Sequence, residues 1–492
     1  MKKDSIYQDC LKILEIEKTK PVHSYKYKSI EIWPWIRRCI LDSYLKKIRA
    51  KKITPYKKNN LLNLKLLYTH SMIYARSKIK FKKQLANINF QQKAILILDQ
   101  QNDYIDKIDN KDYNRFCDPI FDLINGNESV KKITLFNIEN DLAFYNNSTK
   151  INVEELLLYY YSKFYLRSFL PNSLPVYFQR IVEEIDVEID LTFCINNFVK
   201  VLAYENLFLN ILSRTKPKVV FFKMFYSVEN MGLTLAAKKL GIKVVDIQHG
   251  KNGKYNHMMS CWSSFPKNGY QLLPDYFWTW GNYFSNNIKA NYPNNFKNHQ
   301  TISGGNLWLS KCIHDNIYKT NESEQLFLKE LKKKKCILLS LQPIEKENTI
   351  PNWIVKVIKK SPDYFWLIRR HPRQSLNDVN YKNLETLSNV EISYSSTLPL
   401  SIILSHCCYN ITLWSSVCID ALEFDVRSII IHEEGKQIYS DEIKEEVFDY
   451  CDNEKDLMKL IQSKKSVDNY KKMITDSAKI KENLNQFVSD HV

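Results

Sequence analysis

Three places in this sequence end an apolar run abruptly in hydrogen-bond donors: Ile368-Arg369-Arg370-His371-Pro372, Thr412-Leu413-Trp414-Ser415-Ser416 and Val244-Val245-Asp246-Ile247-Gln248-His249-Gly250. Such a run reads as a buried strand, and open α/β sheets bind ligands in the crevice just beyond their strand ends. Arginine offers a planar fork of donors that matches phosphate oxygens, and a histidine beside it donates from one ring nitrogen while the other is anchored. Arg370 and His371 are therefore candidates to grip a diphosphate or phosphodiester. Pro372 ends the strand and turns His371 away from helical angles. The alternative is a basic surface turn. Thr412, Ser415 and Ser416 stand where a helix begins, and there free N–H groups and the helix dipole attract an anion. Capping accounts for one serine but does not require both, with a threonine ahead of them. Glu423, about two turns further on, is a candidate for a ribose hydroxyl or else an exposed helix charge.

In the third motif, His249 is the candidate general base for an acceptor hydroxyl, because its ordinary pKa lies near working pH. Gly250 lets the backbone pass close to a ligand, and Gln248, Lys251 and His257 are acceptor or loop candidates. Strand alternation points Asp246 to the face of Gln248, not of His249. A lone histidine at a turn is more often structural, so the base assignment leans on the other two motifs. Gly304-Gly305 lacks the spacing of a dinucleotide fingerprint, and no phosphate-binding loop ending in Gly-Lys-Ser/Thr occurs. No Asp-x-Asp follows a strand, so no metal is expected, and the only small molecule expected is a nucleotide-sugar substrate.

The elements needed to position these residues are legible from periodicity. Strands are expected at Ala94 to Asp99, Lys132 to Phe136, Lys218 to Phe222 and Ile242 to Gln248, with a helix from Val228 to Leu240 between the last two. A mainly helical stretch from Val153 to Val201 is expected to break at Pro171 and Pro175. A second alternation starts at Cys336 to Leu341 and continues through strands Tyr364 to Ile368, Val390 to Ser393, His406 to Ile411 and Ser428 to Ile431, with a helix from Ser415 to Phe424. The fold class expected is α/β, two Rossmann-like domains facing across a cleft, with a helical basic N-terminal region at 1–93, an acceptor domain at 94–325 and a nucleotide-donor domain at 326–492.

Composition narrows the setting. The chain of 492 residues carries a formal net charge of +17, and Ser43 to Leu98 holds fourteen Lys or Arg and no acidic residue. That stripe, with Leu61 to Leu85 as an apolar and basic helix, suits an anionic membrane surface or is a solvated face on a helix packed against the core. Nucleic acid is not expected as a partner, since no recognition helix or zinc-finger spacing accompanies the charge. No apolar stretch reaches the length of a membrane span, and Met1-Lys2-Lys3-Asp4 leads into no continuous apolar run, so a cytoplasmic protein, peripheral on the inner membrane face, is expected. Eleven scattered cysteines without a C-x-x-C pair read as reduced core residues.

Taken in order, Gln248-His249-Gly250, Pro274-Asp275-Tyr276-Phe277-Trp278-Thr279-Trp280-Gly281, Arg370-His371-Pro372 and Thr412 with Ser415, Ser416, Asp420 and Ala421 resemble bacterial surface-polysaccharide glycosyltransferases of the GT-B fold, over roughly Lys218 to Ile438. The His-Pro and Ser-Ser motifs resemble CMP-sugar transferases for sialic acid and Kdo; the His-Gly turn with Arg-x-His-Pro resembles CDP-glycerol glycerophosphotransferases. The resemblance implies His249 as base, His371 with Arg370 on the donor phosphate, and Ser415 with Ser416 as its cradle. No acidic motif of the sialyltransferase kind stands where Gln248-His249-Gly250 lies, which turns the expectation away from CMP-sialic acid. The implied activity is transfer of a sugar or polyol phosphate from a CMP- or CDP-linked donor to a glycan or lipid-linked acceptor. The alternatives are a nucleotide-sugar epimerase or hydrolase of similar fold, and a non-catalytic glycan- or membrane-binding assembly factor.

Overall fold

The computed structural model describes residues 6–48, 64–88, 90–124, 130–136, 142–167, 173–252, 258–259, 262–290, 292–293, 297–315, 317–342, 350–371, 384–463 and 473–492. Pro171, His257 and Pro372 fall outside them. The described residues form two compact units: one runs up to Trp308 and takes up the chain again from Ala478, and the other comprises Leu309 to Ser477.

The first unit is built on β1 (Ile95–Gln100), β2 (Val130–Phe136), β3 (Thr149–Asn152), β4 (Val219–Lys223), β5 (Lys243–Ile247), β6 (Tyr276–Thr279) and β7 (Gln300–Ser303), in the order β7-β6-β5-β4-β1-β2-β3. Every pairing is parallel. Parallel strands are covered on both faces, which explains why Ile95-Leu96-Ile97-Leu98 and Val219-Val220-Phe221-Phe222 are buried throughout instead of alternating. On one face lie the helices Leu191–Thr215 and Val228–Lys239, begun by Asp190 and Ser227, whose side chains accept from Phe193 N–H at 2.9 Å and Asn230 N–H at 3.1 Å. The other face is covered by Asp118–Ile124 and by Ile480–His491, whose Phe487 packs on Phe221 and Trp278.

The described part of the segment expected as a helical basic N-terminal region, residues 6–48, 64–88 and 90–93, belongs to this unit. Trp33 and Trp35 are buried in its main core, their indoles donating to Glu17 at 2.9 Å and to the Cys194 carbonyl at 3.1 Å. Arg37, fully buried, pairs with Glu17. The Pro175 break is a beginning: that proline sits in the first turn of Leu174–Ile185, where a missing N–H costs nothing.

The second unit contains β8 (Lys335–Ser340), β9 (Tyr364–Arg369), β10 (Val390–Glu391), β11 (Cys407–Thr412), β12 (Arg427–Ile430) and β13 (Asp449–Tyr450), again all parallel, in the order β10-β9-β8-β11-β12-β13. In both sheets the chain builds outward from its first strand on one side and then returns to build on the other. That reversal opens a crevice at the carboxyl ends of the two central strands, β1 and β4 in the first unit, β8 and β11 in the second. Among the described residues no helix is long and apolar enough to cross a membrane.

Candidate functional site

In the second unit three strands end level with one another: Ser340 on the central β8 is abreast of Arg369 on β9 and of Thr412 on β11. A buried polar rail locks this register, with Ser340 Oγ donating to Asn410 Oδ1 at 2.9 Å and Asn410 Nδ2 to Ser428 Oγ at 3.0 Å. The Arg-His and Ser-Ser motifs, about forty residues apart in sequence, thus leave the sheet on either side of one strand. Ser340 was not among the residues singled out; the only signal for it was a polar residue inside the apolar run of β8.

The turn after β11 is held from several sides. Thr412, fully buried, donates from Oγ1 to the Ser340 carbonyl at 2.9 Å and accepts from Ser415 N–H at 3.2 Å, so its hydroxyl fixes the turn. Ser415 Oγ accepts from Val417 N–H at 3.4 Å, while its carbonyl accepts from the buried Tyr439 hydroxyl at 3.2 Å. The helix is shorter than expected, Val417–Leu422. Ser416 precedes it and makes no side-chain hydrogen bond among the described residues, and Ser415 only accepts through its Oγ, so both serines keep an O–H to donate to a ligand while that of Thr412 is used. Glu423 follows the last helical residue, at the end remote from the strand. Gly435 is obligatory here, because a Cβ would stand 1.9 Å from the Leu413 carbonyl, and that approach lets the helix Glu433–Ile438 buttress the turn.

The two arginines at the end of β9 divide their work. Arg369 donates from Nη1 to the carbonyls of Ser395 and Leu398, each at 2.7 Å, and so ties the strand to the following helix. Among the described residues Arg370 is anchored only through its backbone, its N–H donating to Ser396 Oγ at 3.1 Å. Its Nε is buried and has no hydrogen-bond partner among the described residues. A buried donor left in that state costs on the order of 1–3 kcal/mol, more for a charged group, and an anion relieves it. His371 follows directly, half-buried.

In the first unit, Gln248 proves to be a clamp. Its side chain donates to the Gly250 carbonyl at 2.8 Å and accepts from Trp280 N–H at 2.8 Å, binding the end of β5 to the turn after β6. Both amide groups are engaged, which sets the path of the backbone through His249. The His249 ring lies 3.3 Å from the Tyr226 hydroxyl through Nε2 and meets the edge of Phe116. Burial, reinforced by the Lys223 ammonium and partly offset by the Ile247 backbone, pushes its pKa down to about 4, so the imidazole is neutral at physiological pH. Asp246 is fully buried on β5 and accepts from Phe225 N–H at 3.2 Å, with burial holding its carboxyl well above the usual range. Gly250 has no protein atom within 4 Å of where a Cβ would stand, so the protein itself does not require glycine there. Lys251 is half-buried beside it. At Gly304 a Cβ would lie 1.9 Å from the Trp278 indole, which makes Gly304-Gly305 a packing feature.

A buried ionic cluster that no sequence motif announced lies along β1 and β2. Lys132, 1% exposed, pairs with Asp118 and lies 3.5 Å from Asp99. The Tyr104 hydroxyl donates to Asp99 Oδ2 at 2.7 Å and Asn114 Nδ2 to the same oxygen at 3.3 Å. Burial raises Asp99 to about 6 against the opposing pull of Lys132. Lys132 reads in sequence as one more surface lysine in a lysine-rich chain.

No family model and no curated protein matches this sequence. Among solved structures, the chain is similar to the UDP-GlcNAc 2-epimerase from Methanocaldococcus jannaschii, at 14% identity over 80% of this chain and 99% of that one, with a TM-score of 0.48. The Neisseria meningitidis UDP-GlcNAc 2-epimerase bound to UDP-GlcNAc gives 13% identity, 80% and 98% coverage and a TM-score of 0.46. A variant of the wall teichoic acid polymerase TagF gives 12% identity, 88% and 100% coverage and a TM-score of 0.48.

Proposed function

We propose that the chain is a GT-B transferase that moves a sugar or polyol phosphate from a nucleotide-activated donor, CMP- or CDP-linked, to a surface polysaccharide or lipid-linked acceptor, with no divalent ion in the reaction. The observation that carries this reading is the buried, unpartnered Nε of Arg370, next to the strand-order reversal where open α/β sheets take nucleotides. In this reading Arg370, His371 and Ser416 hold the donor phosphate and neutralise the charge that develops as it leaves. Thr412 and Ser415 shape the turn, Glu423 is the more remote ribose candidate, and His249 takes the proton of the acceptor hydroxyl. Purified protein incubated with CMP-, CDP- and UDP-linked donors, with and without acceptor glycan, tests it through nucleotide release. Release that needs acceptor supports transfer. Turnover of donor alone would point to the epimerase or hydrolase alternative, and absence of nucleotide binding by calorimetry to an assembly factor.

The base assignment has its own signature. The neutral imidazole is the active form, and because its pKa is lowered to about 4, activity is expected to persist as pH falls through 6.5 and to decline only near 4. His249→Gln should lose roughly 10²- to 10⁴-fold in kcat/KM and the acidic limb with it. An unchanged limb in that variant would assign the base elsewhere.

Peripheral attachment to an anionic membrane belongs to the same proposal. Helix Leu64–Ala86 packs on Glu154–Arg167, with the His70 and Tyr165 rings stacked at 4.0 Å, yet Tyr68, Met72 and Ile79 on its outer face are 69%, 56% and 57% exposed. Arg76, Lys82 and Lys83 are exposed on the same helix. Vesicles containing phosphatidylglycerol are expected to bind the protein at least about tenfold better than neutral ones, less so at high salt. Equal binding to neutral vesicles, or binding unaltered in Tyr68→Ser/Met72→Ser/Ile79→Ser, would remove this face from the proposal.

A further inference from the structure

The first unit contains a cavity of about 460 Å³ that none of the catalytic candidates touches. It is bounded by the ribbon Lys26–Tyr27 and Ile30–Glu31 and by the helices Glu154–Arg167, Leu174–Ile185 and Leu191–Thr215. Its size is that of a small-molecule site. Phe164, Leu174, Val199, Leu202 and Leu209 supply an apolar lining, while Lys28, Lys163, Arg167 and Lys239 supply positive charge. The single carboxylate in the wall, Glu205, is paired with Lys239. Lys28, Lys163 and Arg167 make no ion pair among the described residues. Lys28 lies over the Tyr27 ring at 5.6 Å and Lys163 over the Tyr160 ring at 5.3 Å, but burial, followed by the crowding of Arg167 and Lys28, still lowers the pKa of Lys163, so an anion placed among them would be favoured.

A second observation points the same way. Ser173 lines the cavity and precedes the twelve-residue helix Leu174–Ile185, the position at which a serine normally caps. It makes no cap bond; the residue is only 7% exposed, and its Oγ has no hydrogen-bond partner among the described residues. A buried hydroxyl without a partner, at a helix start and beside three unpaired cations, is a donor set for an anionic headgroup, and the adjoining apolar wall suits a hydrocarbon chain.

We infer that this cavity binds an anionic amphiphile of the phosphate-bearing lipid class, its headgroup at Lys163, Arg167 and Ser173 and its chain against Phe164, Leu202 and Leu209. The site is independent of donor chemistry and stands whether or not the transferase proposal does. Calorimetry on the full-length protein tests it, with decyl phosphate below its micellar concentration, inorganic phosphate, and decyl maltoside as a neutral amphiphile. Decyl phosphate is expected to bind saturably at one site, and the other two at least about tenfold more weakly. Lys163→Gln/Arg167→Gln should weaken decyl phosphate at least about tenfold, and Leu202→Trp, which fills the cavity, should do the same. Met72→Ser, on the membrane-facing helix, should leave it unchanged, separating the cavity from general lipid adhesion. The inference fails if decyl phosphate does not saturate, if Arg167→Gln and its double variant bind it normally, or if inorganic phosphate binds as tightly. Arg167 is exposed, so that variant keeps the test available even where Leu202→Trp does not fold.

Discussion

Replacing His371 with alanine is expected to lower acceptor-dependent nucleotide release by about 100-fold or more, with little change in melting temperature. The magnitude is that of removing one preorganised donor from a developing anion, roughly 10² to 10³ in kcat. Arg370→Ala should fall in the same range, because its buried Nε has no partner among the described residues and is left for the phosphate. Arg369→Ala provides the contrast within one motif. Its guanidinium holds the carbonyls of Ser395 and Leu398, so its loss should appear mainly as lost stability. Ser416→Ala should reduce turnover more than Thr412→Val does for equal stability, since the Thr412 hydroxyl serves the Ser340 carbonyl and Ser415 N–H. Release unchanged in both His371→Ala and Arg370→Ala would remove the strand end from donor binding.

The largest effect on stability is expected at Lys132. Substitution by alanine leaves Asp99 and Asp118 buried without their cation, and breaking a buried pair by removing one partner costs roughly 3–5 kcal/mol. The pH dependence distinguishes this cause from a simple packing loss. Asp99 has a folded pKa of about 6, raised above its ordinary 3.8. The native state therefore holds that proton more tightly than the unfolded chain does, and stability falls as pH rises from 3.8 through 6. Without Lys132 the carboxyl groups are raised further, so the deficit of the variant should widen from pH 5 to pH 8 and narrow again in acid. Urea unfolding across that range reads it directly. A deficit independent of pH would mean that Lys132 acts only by filling space.

What the sequence determined by itself is the set of strands and their ends. Runs such as Ile95 to Leu98, Val219 to Phe222 and Ile337 to Leu339 are legible because strands of a parallel sheet are buried on both faces and so read as unbroken apolar segments. The polar residues that stop those runs mark the binding crevice for the same reason. Tertiary structure decided the order of the strands, and with it the placing of Arg369 and Thr412 abreast of Ser340, because pairing joins residues 29 and 72 positions apart that no local pattern links. It also decided which polar groups within each motif are already satisfied. Arg369 and Thr412 look as capable of binding a ligand as Arg370 and Ser416, but they donate to carbonyls brought from elsewhere in the fold, and both ends of the Gln248 amide are likewise taken, by the Gly250 carbonyl and the Trp280 N–H. The return of the chain from Ala478 to the first unit, the burial of Trp33 and Trp35 in its core, and the ionic cluster around Lys132 are likewise tertiary facts. A side chain's type states what it is able to bond; only its neighbours in space state what remains for it to bond.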